Sequence, residues 1–380
     1  RQHDQKVEPA RTREKKGTVP MSPVREKLPK PTALRLKSPP GEPHPVRCTV
    51  GLLTWNGGQD AVRCVRSLLA QSEPGLELIW IDNASTDGTP QRLWKAFPEL
   101  GEPTVNPHNV GFCVGHNQGL AACRTPYYLA LNQDAVLGET YIERLCDWMD
   151  EHDELALVSG LILQETGSDE VKARIYSAGM AWPRTRFAFE LAMGRPVHPE
   201  LEGRRLVPAV DGSAMLLRTG AARLAVLEPH EVFPEDLFAY AEEVDLAMRL
   251  TYLGLQCGVD GTARAWHRGR GSKGFDLSGI RSRFFANHWL LTLRHDDGAT
   301  IVREMPWIVW GELRHWLPEY ASAPVAFVRA LGRLVKQCRR ARRHRRAWIQ
   351  RHGLIQERPR RFRAESARQL RWIEALYRRA

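Results

Sequence analysis

The chain has 380 residues, 43% of them hydrophobic, and a formal net charge of +11 at pH 7, so it can bury a sizeable core in one large domain or two smaller ones. No apolar run approaches the ~20 residues that span a bilayer, which excludes a protein built of transmembrane helices. The seven cysteines are odd in number, scattered and without a CxxC pair, which excludes a disulfide framework or zinc site and favours reduced, mostly buried thiols in the cytoplasm.

The positive charge is concentrated at the two ends of the sequence. Residues 1–47 carry twelve Lys and Arg against five acids, and residues 331–380 carry seventeen against three, which leaves the middle near −10. Residues 1–46 are rich in Pro, Lys, Arg and Glu with almost no apolar periodicity, so we predict a disordered basic tail there. The tail contains no apolar stretch of the kind found in signal peptides.

Two strands and a helix are predicted next. Residues 49–56 have the length and β-branched content of a central parallel strand, a helix follows over about 60–71, and a second strand covers 76–81. Asp82 follows at the tip of the second strand. A carboxylate there can accept hydrogen bonds from a nucleoside base or ribose, whereas Asp87 is expected to serve the backbone at the start of the next helix.

The segment Asn109–Leu120 offers small and amide-bearing residues near the start of another helix. Gly111 permits close backbone approach, while Asn109 and Asn117 supply donors and acceptors where anions are favoured. Asn and Gly are also ordinary loop residues. The position of the segment, between the strand ending at Asp82 and the next strand, favours the ligand-binding interpretation.

An apolar strand beginning at Tyr127 runs into Asn132, Gln133 and Asp134 and then breaks. A carboxylate at the C-terminal tip of a buried strand lies where open α/β sheets bind ligands, and it can hold a divalent cation through hard oxygen ligands. The alternative is an Asp that caps the following helix.

The middle of the chain is the least predictable part. Residues 164–205 are rich in Arg and aromatic side chains, including Trp182, and are expected to form one wall of a ligand site. Asp211 and Gly212 precede an apolar strand at 214–217. They are interpreted either as residues that approach a ligand, or as a tight turn before a core strand.

Acidic residues crowd the first turn of a later helix, and basic residues follow the strand after it. Glu242 and Glu243 begin an apolar-faced helix, where acids also complement the helix dipole. His267 is followed by Arg268 and Arg270 with interspersed Gly. This combination is typical of a site for phosphate oxygens and a metal ion.

The C-terminal part has helical periodicity. Apolar and aromatic residues recur at helical spacing over 306–317 and 325–338, and the Arg-rich segment 339–351 follows. The pattern fits amphipathic helices lying peripherally on an anionic membrane surface. It fits equally well two packed helices with a solvated basic face.

Six of these motifs, in this order, resemble family 2 inverting glycosyltransferases of the GT-A fold. They are TWN, IDNASTDGT, NVGFCVGHNQGL, LALNQDAVL, VDGSAMLLR and YAEEVDLAMRL with AWH, and they cover roughly residues 47–296. The chain is most similar to the bacterial branch with rhamnosyl- and galactofuranosyltransferases. The resemblance implies an α/β fold with a mostly parallel, Rossmann-like sheet between helices, carrying a helical C-terminal extension.

The resemblance also implies roles for individual residues. The segment Asn132-Gln133-Asp134 takes the place of the DXD motif, with Asn instead of the first acid, so Asp134 would hold Mg²⁺ or Mn²⁺ together with His267. Glu243 matches the general base, with Glu242 as the alternative. The remaining positions would bind the nucleotide-sugar, through Thr54, Trp55, Asn56, Asp82, Asn109, Gly111, Asn117, Arg268 and Arg270, or the acceptor, through Asp211, Gly212 and Trp182.

The function implied is transfer of a single hexose, such as rhamnose, from a dTDP- or UDP-sugar to a glycan or lipid-linked acceptor in cell-surface polysaccharide synthesis. The expected domains are a tail at 1–46, a catalytic domain at 47–297 and a helical, Arg-rich extension at 298–380. The nucleotide-sugar half would end at 137. The QxxRW motif of processive synthases is missing, which favours one sugar per encounter. The protein is expected to act peripherally at the inner face of the cell membrane.

Two other functions are possible alternatives. The Arg-rich C-terminal segment could bind nucleic acid, with Trp348 and Trp372 stacking on bases, beside a catalytically degenerate α/β scaffold, although no recognised nucleic-acid module is present and no nucleic acid is expected. A nucleotidyltransferase would require a phosphate-binding loop with basic residues after the first strand. The sequence Thr54-Trp55-Asn56-Gly57-Gly58 lacks the basic residues expected there.

Overall fold

A computed structural model of the protein describes residues 28–36, 45–165, 173–269, 277–353 and 358–378. The strands are β1 (Leu34–Arg35), β2 (Cys48–Thr54), β3 (Leu76–Asp82), β4 (Thr104–Val105), β5 (Tyr127–Asn132), β6 (Ala135–Leu137), β7 (Leu155–Gln164), β8 (Ile175–Ser177), β9 (Met180–Ala181), β10 (Phe189–Glu190), β11 (Arg204–Val207), β12 (Ala214–Arg218) and β13 (Gln256–His267). The helices are α1 (Gly58–Leu69), α2 (Thr89–Ala96), α3 (Gly111–Ala122), α4 (Tyr141–Glu151), α5 (Thr219–Leu224), α6 (Glu242–Tyr252), α7 (Leu277–His295), α8 (Gly298–Gly311), α9 (Leu317–Ser322), α10 (Pro324–His352) and α11 (Arg358–Arg378), and a π-helical turn at Glu312–Trp316 joins α8 to α9.

The central sheet has the strand order β1-β3-β2-β5-β12-β7-β13-β11. Strands β3, β2 and β5 are parallel, as are β7 and β13, while β12 is antiparallel to both of its neighbours. The side chains of β5 and β7 are buried almost throughout, as expected for strands covered on both faces. The predicted fold class, a GT-A-like α/β sheet between helices with helices at the C-terminal end, is confirmed. The sheet is mixed and not mostly parallel as predicted, because β12 and the edge strands β1 and β11 pair antiparallel with their neighbours.

The sheet brings several loop segments to one edge. The carboxyl ends of β2, β3 and β5 lie together because these strands are parallel neighbours. Strand β12 runs the other way, so its first residue lies opposite the end of β5, and the Asn132 N–H donates to the Ser213 carbonyl at 2.8 Å. The turn at 211–213 therefore lies beside Asp134.

Three local features differ from the sequence-based expectations. The first strand ends at Thr54, because Asn56 adopts a φ of 48° that a strand does not permit. Strand β1, inside the segment expected to be disordered, pairs with β3, whereas residues 1–27 and 37–44 lie outside the described residues. The strand that starts at Tyr127 divides into β5 and β6, and β6 pairs with β13 so that Ala135 lies opposite His267.

The helices beyond residue 297 pack on the same body as the sheet. Helix α10 lies along α7, and α11 contacts α6, β9 and β11. Trp348 and Phe362 share one hydrophobic cluster with Val244 of α6. The domain boundary expected near 297 stays a prediction, while the described helices beyond it contribute to the main core. No described helix combines the length and apolar content needed to cross a bilayer.

All seven cysteines are free thiols, and six of them are buried. Burial raises the pKa of the Cys257 thiol to about 12, so this side chain is a neutral thiol near neutral pH. The expectation of mostly buried thiols is therefore confirmed.

Candidate active site

The tips of β2 and β3 are joined by a buried hydrogen-bond cluster. Thr54 and Asp82 are opposite each other in register, and Thr54 Oγ1 donates to Asp82 Oδ1 at 2.7 Å. Asp82, which is 1% exposed, also accepts from the backbone N–H and the hydroxyl of Ser85, each at 2.7 Å. The carboxylate thus fixes the loop after β3, a local role that the sequence did not reveal, and its contact with a nucleoside stays a prediction.

Gln133 fixes the loop between β2 and α1. Its Oε1 accepts from the Trp55 N–H at 2.9 Å, and its Nε2 donates to the Trp55 carbonyl at 2.7 Å. A side chain on Gly57 would collide with this amide. Asn56 Oδ1 in turn accepts from the Thr86 N–H at 2.8 Å. Trp55 is therefore held in place by the residue predicted to form the middle of the metal motif, while Asn56 joins this loop to the one after β3.

The residues predicted to line the nucleotide from α3 are instead engaged with the chain itself. Asn117 accepts from the Phe233 N–H at 2.9 Å and donates to the Phe233 carbonyl at 2.8 Å. A Cβ on Gly111, where φ is +85°, would lie 2.6 Å from the Phe238 carbonyl oxygen. Asn109 accepts from the Gly111 N–H at 2.9 Å. The Asn117 amide and the close backbone approach at Gly111 thus hold the segment before α6 against α3, and contacts of these residues with a nucleotide-sugar stay a prediction.

Asp134 and His267 form a pair at the end of β5. The alignment of β6 with β13 brings His267 Nε2 to 3.2 Å from Asp134 Oδ1. Burial raises the pKa of Asp134, but the hydrogen bond from His267 and the charges of His267 and Arg268 outweigh it, so the pKa is lowered. For His267 burial lowers the pKa, and the hydrogen bond and charge of Asp134 reverse the effect and raise it.

A cavity of about 340 Å³ opens beside this pair. Arg268 donates to Asp60 at 2.7 Å across its rim, and Arg270 lies outside the described residues. The wall combines the first turn of α1, whose N–H groups favour anions, with charged side chains of both signs. The lining residues are Asn56, Gly57, Gly58, Gln59, Asp60, Asp87, Arg92, Gln133, Asp134 and Arg268.

A second group of acids surrounds the start of α6. Burial raises the pKa of Glu242 to about 7, and Asp211 and Asp245 contribute in the same direction. Burial, followed by the charges of Glu242, Glu190 and Asp211, raises the pKa of Glu243 well above its ordinary value. A Cβ on Gly212 would lie 3.7 Å from Glu243 Oε2, so the predicted 211–213 turn lies directly against the predicted base.

Glu190 belongs to this acidic group and was missed from the sequence. Burial and the charge of Asp211 raise its pKa well above the ordinary carboxyl value, and its Oε2 has no hydrogen-bond partner among the described residues. An isolated acid between aromatic and apolar residues, as in FAFEL, is the only signal in the sequence. Its proximity to Glu243 depends on the fold and not on spacing.

Asp245, on the next turn of the same helix face, has the opposite electrostatic character. It is buried and accepts hydrogen bonds from Arg249 at 2.8 Å, His295 at 2.9 Å and Arg294 at 3.2 Å. Burial raises its pKa, but the two guanidinium charges and His295 outweigh the burial and lower it. Asp245 thus anchors α6 to α7, whereas Glu242 and Glu243 form no salt bridge with any described residue.

Trp182, predicted to face the acceptor, is packed inside the body of the protein. Its side chain is fully buried, its backbone N–H donates to Ser366 Oγ at 2.9 Å, and the guanidinium groups of Arg186 and Arg363 lie over its ring. Because α11 covers Trp182 from the far end of the sequence, this geometry supports a core role, and the contact of Trp182 with the acceptor stays a prediction.

One further set of ligand-type side chains lies away from the sheet edge. Glu228, Glu231 and His344 place three potential ligand atoms within 4.8 Å of one another. Arg340 already contacts both Glu231 oxygens at 3.0 Å, and Arg343 contacts Glu228 at 3.4 Å. Because these guanidinium groups neutralise the two carboxylates, the cluster is an ion-pair network that joins α10 to the body.

Residues 49–216 match the model of glycosyl transferase family 2. This segment is identified as a glycosyltransferase family 2 domain. It contains β2, β3, β5 and the 211–213 turn, and thus Asp134 and Asp211, whereas Glu242, Glu243 and His267 lie beyond it. No curated protein matches the chain in sequence.

Several solved glycosyltransferase structures resemble the chain at low identity. The structure titled GalNAc-T7 with UDP, GalNAc and Mn²⁺ has a TM-score of 0.50 and 13% identity, over 74% of this chain and 58% of that one. A structure of S. aureus TarS has a TM-score of 0.48 and 16% identity, over 87% of this chain and 55% of that one. A structure of S. aureus TarS 1–349 with UDP-GlcNAc also has a TM-score of 0.48, with 17% identity over 88% of this chain and 92% of that one. The likeness to GalNAc-T7 concerns the fold alone, and the chain spans little more than half of the length of TarS or GalNAc-T7.

Proposed function

We propose that the protein is an inverting glycosyltransferase that moves one hexose from a UDP- or dTDP-sugar to a hydroxyl of a glycan or lipid-linked acceptor. One observation carries the proposal. Asp134 and His267, a pair suited to a metal ion, lie beside an open cavity, and the buried carboxylates of Glu242 and Glu243 lie close to the 211–213 turn. Inverting transfer needs these two opposite characters, a cationic site for the leaving diphosphate and a base for the acceptor.

The donor half fits a divalent cation. Asp134 Oδ1 and His267 Nε2 are 3.2 Å apart, close to the ~3.0 Å that separates adjacent ligands of an octahedral cation with bonds of ~2.1 Å. Two protein ligands leave the other positions for diphosphate oxygens and water, which is how Mg²⁺ is usually held at phosphate sites. A bound Mg²⁺ or Mn²⁺ would neutralise the charge that gathers on the leaving diphosphate. The GalNAc-T7 structure contains UDP and Mn²⁺, the same ligand classes that we infer here.

The acceptor half supplies a proton acceptor. We assign Glu243 as the group that takes the proton from the acceptor hydroxyl as its oxygen attacks the anomeric carbon, opposite the departing diphosphate. Its raised pKa makes the ionised carboxylate a stronger base, and positioned general bases contribute ~10²–10⁴-fold in rate. Glu242 shares the position and is the alternative base. Gly212 lies directly against the Glu243 carboxylate, since a Cβ there would be 3.7 Å from Glu243 Oε2.

Calorimetric titration with UDP and dTDP, with and without Mn²⁺, tests the donor half. We expect metal-dependent binding of one nucleotide by the wild type, and loss of the metal dependence in Asp134→Asn. Asp153→Asn, at an exposed carboxylate, is the matched control and should bind as the wild type does. Equal binding by Asp134→Asn and wild type would contradict the metal assignment, and no binding by the wild type would contradict the nucleotide-sugar assignment.

Turnover of the Glu243→Gln variant tests the acceptor half. We expect donor hydrolysis and transfer to fall by ~10²–10⁴-fold, with nucleotide binding unchanged because Glu243 does not line the donor cavity. Near-normal turnover in Glu243→Gln and loss of turnover in Glu242→Gln would move the base to Glu242. Near-normal turnover in both would remove the proposed mechanism.

A further inference from the structure

Large apolar side chains are exposed along α8, α9 and the first half of α10. Eleven of the eighteen large hydrophobic side chains that are exposed in the described part of the chain lie between residues 302 and 335. They include Trp310, which is 55% exposed, and Leu313, Leu317, Val328 and Val335. Such concentrated apolar exposure marks an interaction surface, whereas scattered single residues do not.

The apolar face of α10 continues into a basic one. Val328, Val335, Arg339, Arg342 and Arg346 follow one another at intervals of seven, four, three and four residues, and all five are exposed. Residues at these intervals lie on one side of a helix. The helix carries ten Lys and Arg and no Asp or Glu. One side of α10 is thus apolar at its N-terminal end and cationic further along.

The arginines of α10 divide into two sets according to where they point. Arg340 contacts Glu231 and Glu235, Arg343 contacts Glu228, and Arg351 donates to the Val226 carbonyl at 2.7 Å. These three fasten the helix to the body. Arg339 and Arg342 make no hydrogen bond or ion pair with any described residue, so their charges are available to a partner.

We propose that this surface binds the surface of an anionic phospholipid bilayer. It is called the docking face and is defined by Trp310, Leu313, Val328, Val335, Arg339 and Arg342. The apolar side chains would enter the boundary between headgroups and acyl chains, and the arginines would contact lipid phosphates. Trp is favoured at that depth because its ring is apolar and its N–H polar. Binding of this kind is independent of sugar transfer.

The charge distribution favours lipid over a second copy of the chain. The acids between residues 298 and 352 are Glu304, Glu312 and Glu319. Glu304 is buried with Arg184, and Glu312 is bonded to His288 and Tyr320. A symmetric contact through the docking face would therefore bring α10 cations together with almost no acid to meet them. An anionic bilayer supplies the missing negative charge throughout the contact.

Vesicle flotation of the full chain tests the docking face. The vesicles are phosphatidylcholine alone, or an equimolar mixture of phosphatidylcholine and phosphatidylglycerol. Two double variants are compared with wild type, Trp310→Glu with Leu313→Glu, and Arg339→Glu with Arg342→Glu. The matched controls are Trp94→Glu, at a Trp that is 59% exposed on α2, and Arg66→Glu, at an exposed Arg on α1.

We expect the wild type and both controls to bind the phosphatidylglycerol vesicles and to bind phosphatidylcholine weakly. The Arg339→Glu, Arg342→Glu variant should lower the partition coefficient by about fivefold for each positive charge removed, and the two added negative charges should lower it further. Added salt should reduce wild-type binding. The apolar double variant should lose binding to both vesicle types. Unfolding temperatures equal to that of the wild type would show that the variants are folded.

Three results would overturn the assignment. One is wild-type protein that stays with neither vesicle type. Another is docking-face variants that float as the controls do. In the third, the wild type forms a dimer in sedimentation analysis, the Trp310→Glu, Leu313→Glu variant is monomeric, and neither protein floats with the vesicles. That result would make the docking face a contact between copies of the chain. None of these readouts depends on glycosyl transfer, so failure here and failure of the proposed activity are distinguishable.

Discussion

Two buried acids three positions apart on α6 should respond to pH in opposite ways. Glu242 is 4% exposed, and burial raises its pKa from an ordinary 4.5 to about 7. Asp245 is fully buried among Arg249, Arg294 and His295, which lower its pKa. A carboxyl with a raised pKa stabilises the folded state only while it is protonated. A carboxyl with a lowered pKa stabilises it only while it is ionised.

The magnitude follows from the two pKa values of Glu242. In the wild type its contribution to stability is present below the unfolded pKa of 4.5 and is lost as pH rises through about 7. Linkage gives a loss of about 2.5 kcal/mol between pH 5 and pH 8. Glu242→Gln removes the titration, so the stability of the variant relative to wild type should grow by about 2.5 kcal/mol over that interval.

Urea unfolding at pH 5, 6, 7 and 8 measures this difference. Asp245→Asn is the paired variant, because it leaves Arg249 and Arg294 buried beside a neutral side chain, and breaking such a pair costs about 3–5 kcal/mol at neutral pH. If the unfolding free energies of wild type and Glu242→Gln remain parallel from pH 5 to pH 8, Glu242 does not ionise in a buried site. If Asp245→Asn is as stable as wild type, the anchoring role of Asp245 is wrong.

Three further variants separate roles that the sequence alone left together. Glu190→Gln removes a like charge near Glu243 and lowers the pKa of that base, so the acid limb of the kcat/KM profile should move to lower pH, and an unchanged profile would place Glu190 outside the site. Trp182→Ala should cost about 3–5 kcal/mol of stability in urea unfolding without changing acceptor KM in the folded fraction, whereas a raised KM at unchanged stability would support the acceptor role. Gln133→Ala leaves the backbone of Trp55 without two hydrogen bonds and should weaken nucleotide binding equally with and without Mn²⁺, a result that Asp134→Asn should not reproduce.

The strands that carry the site could be predicted because the sequence of each strand marks it without reference to distant residues. Residues 48–54, 76–82 and 127–132 are short apolar runs, and each ends in a polar side chain at the point where the strand stops. A parallel sheet then brings the ends to one edge, so Asp82 and Asp134 could be placed near each other from sequence. The pairing of Asp134 with His267 followed from family resemblance, and the alignment of β6 with β13 supplies its physical reason.

The residues that could not be predicted are those whose partners lie far along the chain. Asn117 binds the backbone of Phe233, and Trp182 is covered by Ser366 and Arg363, 184 and 181 residues away. An amide in a glycine-rich segment looks the same in sequence whether it meets a ligand or a distant loop. Polar groups must find partners when buried, and only the fold determines which partner is available.

The docking face and the carboxylate cluster are connected through packed aromatic rings. Trp316, between the exposed Leu313 and Leu317, contacts the Phe285 ring edge-on at 4.9 Å. The neighbouring Phe284 stacks on Tyr240 at 4.2 Å, and Tyr240 lies two residues before Glu242. A bilayer that contacts the docking face would thus be joined to the base by a short series of rigid contacts. A lipid-linked acceptor, anchored in that bilayer, would be held at the face of the protein that these rings join to the start of α6. The two proposals therefore support the same class of acceptor, although each is measured by a separate assay.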